Sequence, residues 1–279
     1  MKKIAILLLA VFSLVGCSKE FQTKSAETSI GTYAKSFDDV SSFSNVYGMW
    51  KENIDTLYIQ AGNDEYTNTY LLKKMPSSYT TVIKSLNKYD MKAYALLDSD
   101  LWLKNQSKDA KNEVWNILRY NEKNEETRFE GININLNLEN VTTGELEAFY
   151  GNLVEARKLI DKHNNSNKDN LILSINADKS LLENKVFSDV GKIIDKVIYN
   201  GKDNSIEHVK DLLATMDKYN NKVVITMDSK KDFFDKNYVS ILKDLDKKLD
   251  HFNQYESFDG FVINDYNKYS NFLEKQKRP

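Results

Sequence analysis

The segment Gly131–Leu138, GININLNL, sets three amides at alternate positions: Asn133, Asn135 and Asn137. Successive side chains of a strand point to opposite faces, so these three share one face and Ile132, Ile134, Leu136 and Leu138 share the other. Burying an amide without a partner costs about 1–3 kcal/mol, and each amide offers both donors and an acceptor oxygen. A buried row of them must therefore bond to one another or to a polar ligand. Other apolar runs carry or end in polar groups of the same kind. Asp98 and Asp100 follow MKAYALL, Asn176 and Ser174 lie in LILSINA, Thr226 and Asp228 in VVITMD, and Asn264 and Asp265 follow FVI. Tyr199, Tyr266 and Trp102 also sit at or just beyond strand ends. An indole at the position of Trp102 could stack on a sugar face; packing beneath a loop is the structural alternative.

Several chemistries lack their residues. His163, His208 and His251 fall in or beside helical segments and have no metal-ligand spacing, so no metal site is expected and these histidines are read as surface or capping groups. There is no Gly-x-Ser-x-Gly elbow for a serine nucleophile, and no glycine-rich phosphate loop, so no cofactor is expected. The 39 basic and 41 acidic residues are scattered along helices rather than gathered in a stripe, which argues against nucleic acid.

The polar residues need elements that bring them together. Strands are predicted at Ile54–Ala61, Met91–Asp98, Gly131–Leu138, Leu171–Asn176, Lys196–Tyr199, Val223–Asp228 and Phe261–Asn264. Helical periodicity fills the intervals. One apolar stripe lies in Thr143–His163, a second runs through Val209, Leu212, Leu213 and Met216, and a third runs from Tyr238 to Leu249. Pro76 precedes a helix expected over Ser77–Tyr89, and Trp50 and Trp115 in helical patterns are read as core. Strand–helix alternation implies a mainly parallel sheet covered by helices. Two architectures fit: a closed (β/α)8-type, TIM-like barrel, incomplete or distorted because the eighth strand is not evident, or an open doubly wound sheet. In a barrel the polar ends would gather at the C-terminal mouth, where such folds bind ligands.

The chain starts MKKIAILLLAVFSLVGCSKE. Two lysines precede an apolar run shorter than the ~20 residues of a spanning helix, the pattern of a signal peptide. Leu14-Val15-Gly16-Cys17 resembles the lipobox of bacterial lipoproteins, which implies removal of residues 1–16 and lipidation of Cys17. Cys17 is the only cysteine, so no disulfide can form within one copy. The expected organisation is a signal peptide (1–16), a lipidated flexible tether (17–40) and a barrel domain (41–279). The protein is expected on the exported side of a bacterial cell envelope, with membrane lipid as a partner through Cys17.

Ala93–Trp102 (AYALLDSDLW), Tyr120–Asn121, Arg128–Leu138 (RFEGININLNL) and Phe258–Tyr266 (FDGFVINDY) together resemble a family of exported barrel proteins that are themselves similar to glycoside hydrolases. Members carry segments such as ALDGDPSW, RFDGIHLDVEP and FAGIAIHHY. The resemblance implies a hydrolase-like barrel, with departures from the family at its acidic motif. The two carboxylates fall on Asn135 and Asn137, the histidine before them on Asn133 and the proline on Leu138. A family glutamate falls on Asp228, and C-terminal histidines fall on Asn264 and Asp265. Glycosidic cleavage commonly uses two carboxyl groups. The resemblance thus implies a glycan-binding barrel with impaired catalysis, its candidate ligand residues being Asp98, Asp100, Trp102, Asn133, Asn135, Asn137, Asn176, Tyr199, Asp228, Asn264, Asp265 and Tyr266. Three alternatives stay open: an active glycosidase with a carboxylate pair drawn from Asp98, Asp178, Asp228 and Asp265, a solute-binding lipoprotein, and a surface adhesin.

Overall fold

The computed structural model describes residues 28–34, 43–64, 69–136, 138, 141–183, 187–201, 205–227 and 247–276. Cys17, the lipobox, Asn137, Asp228 and most of the expected third helical stripe lie outside the described residues. Among the described residues no helix is long and apolar enough to cross a membrane.

Eight parallel strands close into a barrel: β1 (Ile30–Ala34), β2 (Thr56–Gln60), β3 (Lys92–Leu97), β4 (Gly131–Ile134), β5 (Ile172–Ala177), β6 (Lys196–Tyr199), β7 (Lys222–Met227) and β8 (Phe258–Ile263). Neighbours in the barrel are neighbours in the chain, and β1 pairs with β8 to close it. The main helices are α1 (Phe43–Lys51), α2 (Pro76–Asn87), α3 (Lys108–Lys123), α4 (Thr143–Asn167), α5 (Ile206–Tyr219) and α6 (Tyr266–Gln276). The closed barrel excludes the open sheet.

The strand that sequence patterning misses is β1. It lies inside the stretch expected to be tether, so that boundary is corrected: the barrel already includes Ile30–Ala34. With five residues, one of them glycine, β1 has too little apolar periodicity to stand out from its polar flanks. Long-range pairing places it, as Gly31–Ala34 pair with Thr56–Ile59 and Ile30–Thr32 with Phe261–Ile263.

Alternation along each strand builds two cores. Leu57, Ile59, Ala95, Leu97, Ile132, Ile134, Leu173, Ile175, Val223 and Ile225 pack outward with the helices. Tyr33, Tyr58, Tyr94, Leu96, Ile198, Val224 and Val262 fill the interior. The tyrosine rings of β1, β2 and β3 form a ladder, with centroids 5.4 and 5.2 Å apart. Gly131 lies opposite Tyr94 in register, and a Cβ there would sit 2.6 Å from the ring. Helix α4 starts with a capping box: Thr142 Oγ1 accepts from the Glu145 N–H, and Glu145 accepts from the Thr142 N–H. Two side-chain expectations are corrected. Trp115 is exposed on α3 under the Arg119 guanidinium, because its helix face turns away from the sheet. His163 is buried on α4, bonded to Asp169 and Asn167, and is therefore not a surface group.

The N-terminal end of the interior is closed by a partly buried ion pair. Lys196 Nζ lies 2.6 Å from Asp259 and 5.2 Å from the centroid of the Tyr94 ring. Burial pulls the lysine pKa down, but Tyr94 and Asp259 outweigh it and hold it above the ordinary lysine value. A raised pKa means that the stabilisation is fully present below the unfolded-state pKa and is lost as pH rises through the folded-state one. Lys196→Met is expected to cost about 2 kcal/mol at neutral pH, because it strands a partly exposed Asp259. Denaturant midpoints should show that deficit shrinking once the pH passes the lysine's own titration; a pH-independent deficit would mean that the charge contributes nothing.

Candidate functional site

The C-terminal mouth gathers polar side chains from successive strands. Asn133 of β4 is in register with Leu96 and Ser174, so it faces the interior, where it is fully buried. Its Nδ2 donates to Ser174 Oγ at 3.0 Å, and Ser174 Oγ donates to the Ile132 carbonyl at 3.2 Å. Asn135 lies two residues further along the same face, half-buried just past the strand, its N–H donating to the Leu97 carbonyl at 2.8 Å. Asn176 of β5 donates from Nδ2 to the Tyr33 hydroxyl at 2.8 Å. At the end of β2, Gln60 Nε2 donates to Asp98 Oδ1 at 2.6 Å, just past β3.

These bonds use the amide nitrogens. The oxygens Asn133 Oδ1, Asn176 Oδ1 and Gln60 Oε1 are buried and have no hydrogen-bond partner among the described residues. A buried acceptor left unmade costs about 1–3 kcal/mol, and buried polar groups are rarely left so. Turning either asparagine amide over exchanges the orphaned oxygen for an orphaned nitrogen and removes nothing. These three acceptors lie beneath the mouth, closed off by neighbouring side chains, where an internal water satisfies such a group as well as a ligand O–H or N–H does.

The phenols beside these amides stay neutral. Burial pushes the Tyr33 hydroxyl far up in pKa, against the opposing hydrogen bonds with Asn176 and Thr226, so it remains a phenol. Burial likewise raises Tyr58 and Tyr94. Of the carboxylates that the sequence offered as a relocated pair, Asp178 caps a short helix by accepting from the Leu181 N–H at 3.0 Å. Asp265 accepts from the Lys268 N–H at 3.1 Å and pairs with Lys268 Nζ at 2.6 Å, at the start of α6. Both are committed to helix starts, whereas Asp98 is exposed at the mouth. Among the described residues no cluster of three His, Cys, Asp or Glu could hold a metal ion.

Some expected site residues are not brought to the mouth. Trp102 sits in a 3-10 turn, Asp100–Leu103, and is fully buried, so it offers no stacking face. Its Nε1–H donates to Glu113 Oε2 at 2.8 Å. Tyr199 points outward into the helix-facing core, because alternation along Lys196–Tyr199 puts Lys196 and Ile198 inside. Tyr266 begins α6 and packs against that same outer core. Asp100 is exposed in the turn, whereas Asn264 does lie at the mouth, exposed just beyond the C-terminal end of β8. Conversely, patterning passes over Gln60 and Tyr33. The alternation Thr56, Tyr58, Gln60 would have placed Gln60 inside, whereas Tyr33 was hidden in the supposed tether.

No family model and no curated protein matches the chain. Among solved structures it is similar to a GH18 chitinase from Pseudoalteromonas aurantia, at 14% identity over 90% of this chain and 100% of that one, with a TM-score of 0.60. It is similar to a GH18 chitinase from Cycas revoluta solved in complex with (GlcNAc)3, at 10% identity over 90% and 98%, with a TM-score of 0.61. A xylanase and alpha-amylase inhibitor protein from Scadoxus multiflorus aligns at 12% identity over 90% and 96%, with a TM-score of 0.57. Identities this low speak to the fold alone: this chain has a glycoside-hydrolase-like barrel of the kind seen in GH18 chitinases.

Proposed function

We propose that the chain is a lipid-anchored envelope protein whose barrel mouth binds a glycan without cleaving it. The observation that carries the reading is the gathering of polar groups at the C-terminal end of the barrel, with Asn135 half-buried and Asp98 exposed at the rim, above Asn133, Asn176 and Gln60, whose buried amide oxygens lack partners among the described residues. Sugar hydroxyls and the N–H of an N-acetyl group are donors of the required kind. Asn133 and Asn135 stand, by the family resemblance, in place of a histidine and a carboxylate, and Asn137 in place of a second carboxylate. Even where a substrate supplies its own nucleophile, as in GH18 hydrolysis, the leaving alkoxide needs a proton donor. A neutral amide does not provide one. The names of the similar structures include both chitinases and an inhibitor protein, so the fold does not dictate catalysis.

Titration calorimetry of the full chain with (GlcNAc)3 and a glycan panel, run beside a reducing-sugar assay, tests this. Saturable binding without turnover is expected. Turnover abolished by Asp98→Asn or Asp228→Asn would overturn the inactive reading, and failure to bind any glycan would overturn the binding reading. Asn133→Val is expected to weaken binding roughly tenfold, the equivalent of one lost hydrogen bond. Because it also removes an orphaned oxygen, stability should hold or rise by up to about 1 kcal/mol.

A further inference from the structure

All strands run in one direction, so helices α1 and α2 end where β2 and β3 begin, on the barrel face opposite the mouth. Tyr47 and Trp50 of α1 and Tyr89 after α2 meet there as one aromatic cluster. Ring centroids lie 5.8 Å apart for Tyr47–Trp50, 5.9 Å for Tyr47–Tyr89 and 5.0 Å for Trp50–Tyr89. Tyr47 is 37% exposed, while Trp50 and Tyr89 are half-buried. Lys51 Nζ stands 4.6 Å from the centroid of the Tyr47 ring. Lys51, Lys88 and Lys92 are exposed beside these rings in the chain; of the nearby acids, Asp90 is exposed and Glu52 accepts a bond from Ser270. Amphipathic rings with lysines around them are the composition of a membrane–water interface.

The chain enters the barrel on this same face. Ser29 Oγ donates to Asp55 Oδ1 at 2.6 Å, four residues past Lys51. Twelve Cα-to-Cα steps lead from Cys17 to Ser29. Fully extended they reach about 40 Å, which is the upper limit on how far this face can stand from a lipid on Cys17. We propose that the barrel docks on the bilayer through this face, with Tyr47, Trp50 and Tyr89 in the headgroup layer and Lys51, Lys88 and Lys92 toward anionic lipid. The mouth then points away from the membrane. This inference rests on the lipid-anchor reading above.

The chain has three tryptophans, which serve as reporters: Trp50 on this face, Trp115 midway along α3 and Trp102 buried in the turn after β3. The full lipidated protein is reconstituted into vesicles of brominated phosphatidylcholine and phosphatidylglycerol, and mass spectrometry of its N-terminal peptide reads the lipid on Cys17. Bromolipid should quench the fluorescence, with loss of the quenching in Trp50→Phe and retention in Trp115→Phe. A lipidated protein that is not quenched, or is quenched equally in Trp50→Phe, overturns the docking face and leaves the anchor intact. An unmodified Cys17 overturns the anchor and the docking face with it. A Trp50 signal that ignores bilayers but shifts with soluble (GlcNAc)3 overturns docking in favour of a sugar platform.

Discussion

Gly260→Ala is expected to lower the thermal unfolding midpoint by roughly 10 °C, the equivalent of about 3–5 kcal/mol in a domain of this size. Gly260 sits in β8 at φ +116°, a region that residues with a Cβ rarely adopt. A Cβ there would fall 2.1 Å from the Ser29 carbonyl oxygen and 2.9 Å from the Ser29 N and C atoms, all of them backbone. That oxygen cannot swing aside, because it accepts the Phe261 N–H at 2.9 Å at the seam between β1 and β8. The register of β8 against β7 also shifts between Phe258 and Phe261, so Gly260 lies in an irregular stretch where an interior strand glycine has meaning. Left-handed strain and overpacking each contribute about 1–3 kcal/mol. Gly151→Ala is the matched control. It lies on the exposed side of α4, a Cβ there would meet nothing within 4 Å, and it should stabilise by about 0.5–1 kcal/mol. Scanning calorimetry on both variants decides the matter. Equal midpoints would mean that the seam tolerates a side chain and that β1 is held some other way.

The same seam explains what was legible in the sequence. Six strands announce themselves as apolar runs between helical stripes, and β8 through the FVI of its C-terminal half. Each of these is rich enough in branched residues for local pattern to mark it. β1 is Ile-Gly-Thr-Tyr-Ala, and only its long-range register with Thr56–Ile59 and Phe261–Ile263 makes it a strand. Strand alternation correctly sends Asn133 inward, because its neighbours Ile132 and Ile134 are unambiguous. Alternation also turns Tyr199 outward, but in KVIY a single lysine at the strand start is too little to mark the inner face from sequence. Asn176 was recognised as polar, but its partner Tyr33 lies 143 residues away, and no spacing rule spans that distance. For Trp102 the sequence leaves stacking and packing beneath a loop both open for a related reason: the partner that decides for packing belongs to another element.

Trp102 carries the last and largest effect. Its indole is fully buried and donates to Glu113, itself almost wholly buried on α3. Its carbonyl accepts from Asn152 Nδ2 at 2.9 Å, and the same amide holds the Lys104 carbonyl at 2.8 Å and, through Oδ1, the Ser107 N–H at 3.1 Å. Ser107 in turn caps α3. Trp102 is thus the centre of a brace that fixes the β3–α3 loop to α3 and α4. Trp102→Ala should cost about 3–5 kcal/mol for the cavity, and more because the Glu113 carboxylate loses this donor. Since domains are stable by only ~5–15 kcal/mol, much of the protein should be unfolded or poorly recovered. Trp102→Phe keeps most of the volume and loses the N–H, at a cost of about 2 kcal/mol. Adding Glu113→Leu to Trp102→Phe should recover part of that loss, since removing both polar partners is far milder than removing one. Urea midpoints for the parent, Trp102→Phe, Glu113→Leu and the double variant give the coupling. Glycan affinity of the folded Trp102→Phe variant should stay within about threefold of the parent, since the indole lends no face to the mouth; affinity lost without a change in stability would make Trp102 a sugar platform after all.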